Sequence, residues 1–507
     1  MELKLYNRLK LELLSEFYQR AEGHDPDYQK QVESFASSQH SGLPKPAGRK
    51  IQGWLADYNR LLATKPFQLR YYQILALYFT EHVLSQKRAG KNYAKQKALV
   101  YWMATGSGKT LLMHLNILQF IDHIGGVQAF DELQLILTTP GVNLIEQHER
   151  ELGEVVRQLN RLCNNRIKLI VATTGALLNR EPGFFNMPES KRWFRLVLVD
   201  EGHIGLASGG KDIGAFKKLR QDLLKPENSF LFEYSATYHG IAEQHVREYE
   251  EQIVYDYNYY RFFKDGYGKD YALQSLSDDR FADQGKSEAG FFGATFDTLN
   301  DKLMAYAQLA VGQGTGQLPF AGRFPDKPLL AFMGNTVEDP KKEGSDKDEV
   351  SDIRKFVVWL AHLQADERER YQSIFNGQCS GKLTLTRSPG IQDEIWLSWG
   401  HGAYWGLINV GNGDKFFSDC HEHPQLRNAS SEPLITLTKA GIVNPRYHFS
   451  AIDDPPSPIN VLVGSRKFAE GWNCFRVSII GLINRKRQFN RILTMGYYSG
   501  SRVFCFC

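Results

Sequence analysis

Ala98-Leu99-Val100-Tyr101-Trp102-Met103-Ala104-Thr105-Gly106-Ser107-Gly108-Lys109-Thr110 decides the fold. An apolar run enters this stretch and a helical run, Leu111 to Phe120, leaves it, so it reads as strand, loop and helix. Thr105, Gly106, Ser107 and Gly108 make a loop whose glycines let backbone N–H groups turn inward around phosphate oxygens. The helix that follows adds its positive N-terminal end. In such a loop Lys109 reaches the β- and γ-phosphates of a nucleotide and the Thr110 hydroxyl is a Mg²⁺ ligand. A chance glycine turn would need neither the strand before nor the helix after. The general pattern G-x-x-x-x-G-K-[ST] asks for glycine at position 103, where this chain has Met103.

Working outward, Arg195-Leu196-Val197-Leu198-Val199-Asp200-Glu201-Gly202-His203 is a continuous apolar strand that delivers two adjacent acids to its C-terminal edge. Phosphate chemistry needs such a pair: Asp200 holds Mg²⁺ and Glu201 polarises the attacking water, with His203 linking onward. Phe230 to Tyr234 is a further strand, ending in Ser235-Ala236-Thr237. Leu133 to Thr139 and Ile167 to Thr174 are two more, each closing on threonines at the end where open α/β sheets take ligands. Hydroxyls there contact phosphates without reading bases. Upstream, Phe67 and Gln73 stand just before the first nucleotide strand.

Together these motifs resemble the first RecA-like domain of a superfamily 2 helicase of the DEAD/DEAH-like kind, from about Lys65 to Thr237, and A-x-T-G-x-G-K-T is that group's usual loop. Ile253 to Tyr257, Phe263 to Tyr271, and Val461-Leu462-Val463-Gly464-Ser465-Arg466-Lys467-Phe468-Ala469-Glu470-Gly471-Trp472-Asn473 narrow the resemblance to the helicase (restriction) subunit of type III restriction enzymes. The resemblance implies two RecA-like α/β domains with parallel sheets, the second incomplete, and ATP-dependent translocation or unwinding driven by closure of the two lobes. It implies that Gln73 recognises adenine with Phe67 stacked on it, and that Ser235 and Thr237 couple nucleotide to the second lobe. By the same resemblance Glu470 and Gly471 face the nucleotide, while Thr139, Thr173, Thr174, Ser465 and Lys467 contact the DNA backbone and Asn335 and Thr336 approach it. The implied cofactors are ATP and Mg²⁺, and the implied partners are DNA and a modification (methyltransferase) subunit.

One family feature is missing. Motif VI, Q-x-x-G-R-x-x-R, is expected soon after Asn484, but Arg485-Lys486-Arg487-Gln488-Phe489-Asn490-Arg491 lacks the glycine spacing. Arg476, Arg487, Arg491 and Arg502 are the nearby candidates for an arginine finger, and no residues remain for the family's nuclease domain. The expectation is a truncated or frame-disrupted subunit that binds ATP and DNA and turns ATP over slowly.

At 507 residues the chain is long enough for about three domains. The expected division is a helical extension over 1–60, a first RecA-like domain over 61–245, a linker or insertion over 246–326 and a second RecA-like domain over 327–507. A composition of 42% hydrophobic and 23% charged residues is that of a globular chain, and no apolar run approaches the ~18 residues that span a bilayer. With no signal-peptide stretch at Met1 to Tyr6, the expected place is the cytoplasm, without membrane. Net charge is +4, from 61 basic against 57 acidic residues, so any basic track is local. Six scattered cysteines fit a reducing compartment. Cys420-His421-Glu422-His423 has no second ligand pair at finger spacing and reads as a polar loop rather than a metal cluster. Trp396 to Val410, rich in aromatics, reads as buried strands in preference to a base-stacking surface.

Overall fold

In a computed structural model of the chain, Ala98–Met103 is strand β1, buried along its whole length. The structure describes residues 2–21, 43–61, 66–139, 142–180, 182–188, 190–202, 213–238, 243–267, 273–275, 288–312, 326–333, 352–387, 391, 393–410, 412–440, 444–453, 457–464, 474, 476–482 and 502–505. A strand without alternation is one covered on both faces, as parallel sheets require. Its sheet also holds β2 (Glu132–Thr139), β3 (Ile167–Thr173), β4 (Trp193–Asp200), β5 (Ser229–Ser235) and β6 (Ile253–Tyr257). All six are parallel, in the order β3-β2-β4-β5-β1-β6. Their C-terminal ends therefore share an edge, and Met103, Thr139, Thr173, Asp200 and Ser235 all finish on it.

One face of this sheet packs Val100, Trp102, Val197 and Leu231 against Phe216, Leu219 and Leu223 of helix Ile213–Leu224. Helix Lys109–His123 buries a polar row as well as an apolar one. Tyr234 donates to Asn116 Oδ1 at 2.7 Å, Asn116 donates to Gln119 Oε1 at 2.9 Å, and Gln119 donates to the Leu77 carbonyl at 3.0 Å. The chain of bonds satisfies groups that would otherwise be costly to enclose. Two N-terminal helices, Lys4–Ala21 and Lys45–Leu61, also belong here. The first buries Leu5, Tyr6, Leu9 and Leu14 and leaves Leu11 58% exposed. Lys50 of the second bridges Glu81 and Asp122 at 2.7 and 2.9 Å.

The chain divides into two compact units, Met1–Tyr267 and Gly268–Cys507. The segment 246–326, expected as a linker or insertion, is shared between them: β6 lies in the first sheet, while β7 (Leu273–Ser275) and helix Glu288–Gly312 lie in the second unit. That unit has a nine-stranded sheet with β8 (Leu329–Met333), β9 (Leu383–Arg387), β10 (Glu394–Trp399), β11 (Gly406–Asn409), β12 (Ile435–Lys439), β13 (Val461–Gly464), β14 (Val477–Leu482) and β15 (Arg502–Cys505). Its order is β12-β9-β10-β11-β13-β8-β14-β15-β7, parallel except at β10, which runs against β9 and β11. A tight turn suffices between antiparallel neighbours, and the short Gly400 to Trp405 connection allows no crossover. Trp396 and Trp405 are fully buried, so Trp396 to Val410 is core. Phe292 and Phe296 pack with Phe332 and Phe356 beneath helix Asp352–Ala361. Both units are α/β with parallel-dominated sheets, the fold class expected from the sequence. Among the described residues no helix is long and apolar enough to cross a membrane.

Candidate nucleotide site on the first sheet

The loop after β1 turns at Gly106 and Gly108, whose φ angles are +77° and +81°. Gly108 caps helix Lys109–His123 in a left-handed conformation, and a Cβ there would lie 2.4 Å from Gln73 Nε2. Glycine is required on both counts. Lys109 is the first residue of the helix, only 9% exposed, and its ammonium donates to the Met103 carbonyl and Thr105 Oγ1, both at 3.4 Å. Glu201 Oε1 lies 3.8 Å from that ammonium, so the loop lysine and the acid pair meet at one sheet edge. Thr110, half-buried, opens the same helix.

Asp200 ends β4. Burial alone would raise its pKa, but the hydrogen bond from His148 and the charges of His148 and Lys109 outweigh it and hold the carboxyl below its ordinary value. His148 Nε2 is 3.0 Å from Asp200 Oδ2, and Asp200 Oδ1 accepts from Glu201 N at 3.1 Å. Glu201 itself has φ +51°, an uncommon conformation for a residue with a side chain. Mg²⁺ takes hard oxygen ligands, usually one or two from protein with phosphates completing the shell. The ionised Asp200 carboxylate and the Thr110 hydroxyl are donors of that kind, so the residues present fit the ion. Among the described residues no group of three or more His, Cys, Asp or Glu is placed to hold a metal by itself. Cys420, from the polar run in the second unit, is buried in the core.

Gln73, expected at the adenine edge, has both ends of its amide engaged. Oε1 accepts from Arg70 N at 3.0 Å and Nε2 donates to the Ser107 carbonyl at 3.1 Å. Tyr72 donates to the same carbonyl at 3.0 Å and stacks on Tyr257 at 4.0 Å. Asp265 accepts from both Tyr71 and Tyr257, and Arg70 lies 4.0 Å over the ring of Tyr267, which is 40% exposed. Phe67 is also presented, 46% exposed, with its backbone pinned by Asn59.

At the far strand ends the structure differs from the sequence reading in one residue. Thr139, expected at a DNA backbone, is fully buried, with no hydrogen-bond partner for Oγ1 among the described residues. Thr173 caps the short helix Thr174–Leu178 by accepting from Ala176 N at 3.1 Å, and Thr174 Oγ1 lies 3.2 Å from Thr138 Oγ1. Ser235 Oγ donates to the Thr237 carbonyl at 2.9 Å and accepts from Thr237 N at 3.2 Å, closing the Ser-Ala-Thr turn on itself. His203, Asn335, Thr336, Ser465, Lys467, Glu470 and Gly471 lie outside the described residues, as do Arg485, Arg487 and Arg491. Arg476 is described and donates to the carbonyls of Lys327, Ile452 and Ile459, in the interior of the second unit.

Sequence reading missed His148 and Glu233. His148 sits on the apolar stripe Leu152, Val155, Val156 and Leu159 of helix Val142–Leu162, and a polar residue on such a stripe was the available signal. Glu233 is a lone acid inside the apolar run of β5.

Residues 66–240 match the family model described as type III restriction enzyme, res subunit. No curated protein matches the chain. Among solved structures, the ATP-dependent Type ISP restriction-modification enzyme LlaBIII bound to DNA aligns with 87% of this chain at 11% identity and a TM-score of 0.43. This chain spans 28% of that protein's length. S. cerevisiae Dbp5 bound to RNA and ADP BeF3 aligns with 91% of this chain, and 88% of its own, at 11% identity and a TM-score of 0.41. Mycobacterium smegmatis helicase Lhr bound to ssDNA and AMP-PNP aligns with 91% of this chain, and 48% of its own, at 12% identity and a TM-score of 0.42.

Proposed function

We propose, from the match of residues 66–240 to the res-subunit model of type III restriction enzymes, an ATP-dependent helicase or translocase that acts on DNA within a restriction system, beside a modification (methyltransferase) subunit. The observation that carries this reading is the meeting of Lys109 with the Asp200-Glu201 pair at the C-terminal edge of one parallel sheet. In it, Thr105 to Gly108 cradle the phosphates and Lys109 offsets their charge. Asp200 and Thr110 would hold Mg²⁺, which would supply positive charge against the charge that develops on the phosphates. Glu201 orients the attacking water and accepts its proton. Gln73 and Phe67 place the adenine on the side of the loop that Gln73 already touches, so base and phosphate recognition share one side chain. Ser235 and Thr237 pass the nucleotide's state on, and Thr173, Thr174, Ser465 and Lys467 take the DNA backbone.

ATP hydrolysis by the full chain, with no nucleic acid, with duplex DNA and with RNA, tests the reading. The expected result is turnover stimulated by DNA. Stimulation by RNA alone would replace the DNA assignment, and tight ATP binding without turnover would leave a nucleotide- and DNA-binding partner rather than a motor.

A further inference from the structure

Glu233 is the one acid of Ser229–Ser235, fully buried on β5 in register with Val199 of the acid strand and Val100 of the phosphate-loop strand. Its carboxylate accepts from Tyr249 at 2.7 and 2.9 Å and from Tyr238 at 3.2 Å, and faces Arg220 Nε at 3.5 Å. Burial pushes its pKa up, while Arg220, Tyr249 and Tyr238 oppose that rise. A Cβ on Gly202 would lie 2.4 Å from Glu233 Oε1 and 2.6 Å from its Cγ and Cδ, so the backbone leaving the acid pair rests directly on this side chain. Tyr238 directly follows the Ser235-Ala236-Thr237 turn, Arg220 comes from helix Ile213–Leu224 and Tyr249 from helix Glu243–Glu250. One carboxylate thus gathers four segments of chain. An apolar residue would fill the space without the desolvation of a charge, so the acid is retained against a cost.

We propose that Glu233 is a positioning residue that clamps the backbone after Asp200-Glu201 to the Ser-Ala-Thr turn, so that the metal-binding acid and the coupling turn move as one body. Glycine at 202 is the complement of this clamp: the carboxylate occupies the space a side chain would need. The inference rests on the nucleotide site proposed above only for its consequence at Asp200, not for the clamp itself.

The test uses the full chain as wild type, Glu233→Gln, Gly202→Ala, Tyr249→Phe and, as a control at a buried position that does not touch Glu233, Ile51→Val. Amide hydrogen exchange without nucleotide is expected to rise by about tenfold or more in residues 199–202 and 235–238 together in the three clamp variants, and in neither segment in the control. The gain in ATP affinity on adding Mg²⁺ over EDTA is expected to fall by about tenfold in the clamp variants, the size seen when a group supporting a metal ligand is removed. Affinity in EDTA should stay close to wild type. Exchange that rises in one segment alone, or in neither, overturns the clamp, as does an unchanged Mg²⁺ gain in variants of a wild type that shows one. Should Glu233→Gln fail to fold, Gly202→Ala and Tyr249→Phe carry both readouts. A wild type that binds no ATP overturns the nucleotide reading instead, and the exchange measurement still decides the clamp.

Discussion

The Lys109 ammonium touches the last carbonyl of β1 and the Thr105 hydroxyl, with Glu201 Oε1 3.8 Å away, so what its removal takes from the fold is polar contact. Lys109→Ala is expected to cost less than about 1 kcal/mol of stability. ATP affinity should fall by about 10- to 100-fold, the worth of a hydrogen bond to a charged group. Nucleotide titration beside far-ultraviolet circular dichroism checks both, and full binding in a folded variant would remove Lys109 from the site. Glu201→Gln keeps the side-chain shape and the left-handed backbone of Glu201, φ +51°, so its effect is chemical and not conformational. ATP and Mg²⁺ should bind as before while hydrolysis falls by about 10²- to 10⁴-fold, the usual contribution of a general base. Single-turnover hydrolysis at wild-type rate would assign the base to another acid.

Helix Lys45–Leu61 docks on helix Lys109–His123 through a buried bond, Tyr58 Oη to His114 Nδ1 at 2.9 Å. Burial, reinforced by the nearby His148, holds the pKa of His114 down to about 3, and burial holds that of His123 down to about 4. An unfolded histidine titrates near 6.5, so between these values the unfolded chain takes up protons that the folded one refuses. Stability from these two residues is complete above pH ~6.5 and is lost as pH falls towards 3. Between pH 7 and 5 the loss is about 2 kcal/mol per histidine. Urea midpoints at the two pH values measure it, and His114→Gln should remove about half of the slope; an equal slope in that variant would show that His114 is not a source of it. The same helices mark where sequence stops being legible. Gly106, Gly108, Lys109, Asp200 and Ser235 could be read because each ends or follows a strand in a pattern that local sequence carries. His148 on Asp200, Glu233 under Gly202 and Gln73 against Ser107 are contacts between distant segments, which local periodicity cannot specify. Thr139 read as a DNA contact at a strand end because nothing in its own segment reveals what encloses it. The antiparallel β10 was hidden for a related reason, since its short apolar segments fit either direction.

Across the whole molecule 61 basic residues nearly balance 57 acidic ones, so overall charge supplies little attraction to DNA. Affinity has to come from local contacts to the phosphate backbone, and binding should weaken by about tenfold or more between 50 and 200 mM salt while ignoring sequence. Competition between unrelated duplexes at two salt concentrations checks this, and strong discrimination would mean that a base-reading element is present. The register of the first sheet has a consequence of another sort, for the chain during its synthesis. β1 pairs Ala98 with Leu231 on one side and Val100 with Ile253 on the other. At roughly 5–20 residues per second, a ribosome that has made β1 needs on the order of ten seconds to make both neighbours. For that interval Leu99, Val100, Tyr101 and Trp102, buried in the finished protein, have no partner strand. An unpaired apolar strand of this kind is what makes a folding chain prone to aggregate, and the phosphate loop gains its final support only after Tyr257 has left the ribosome.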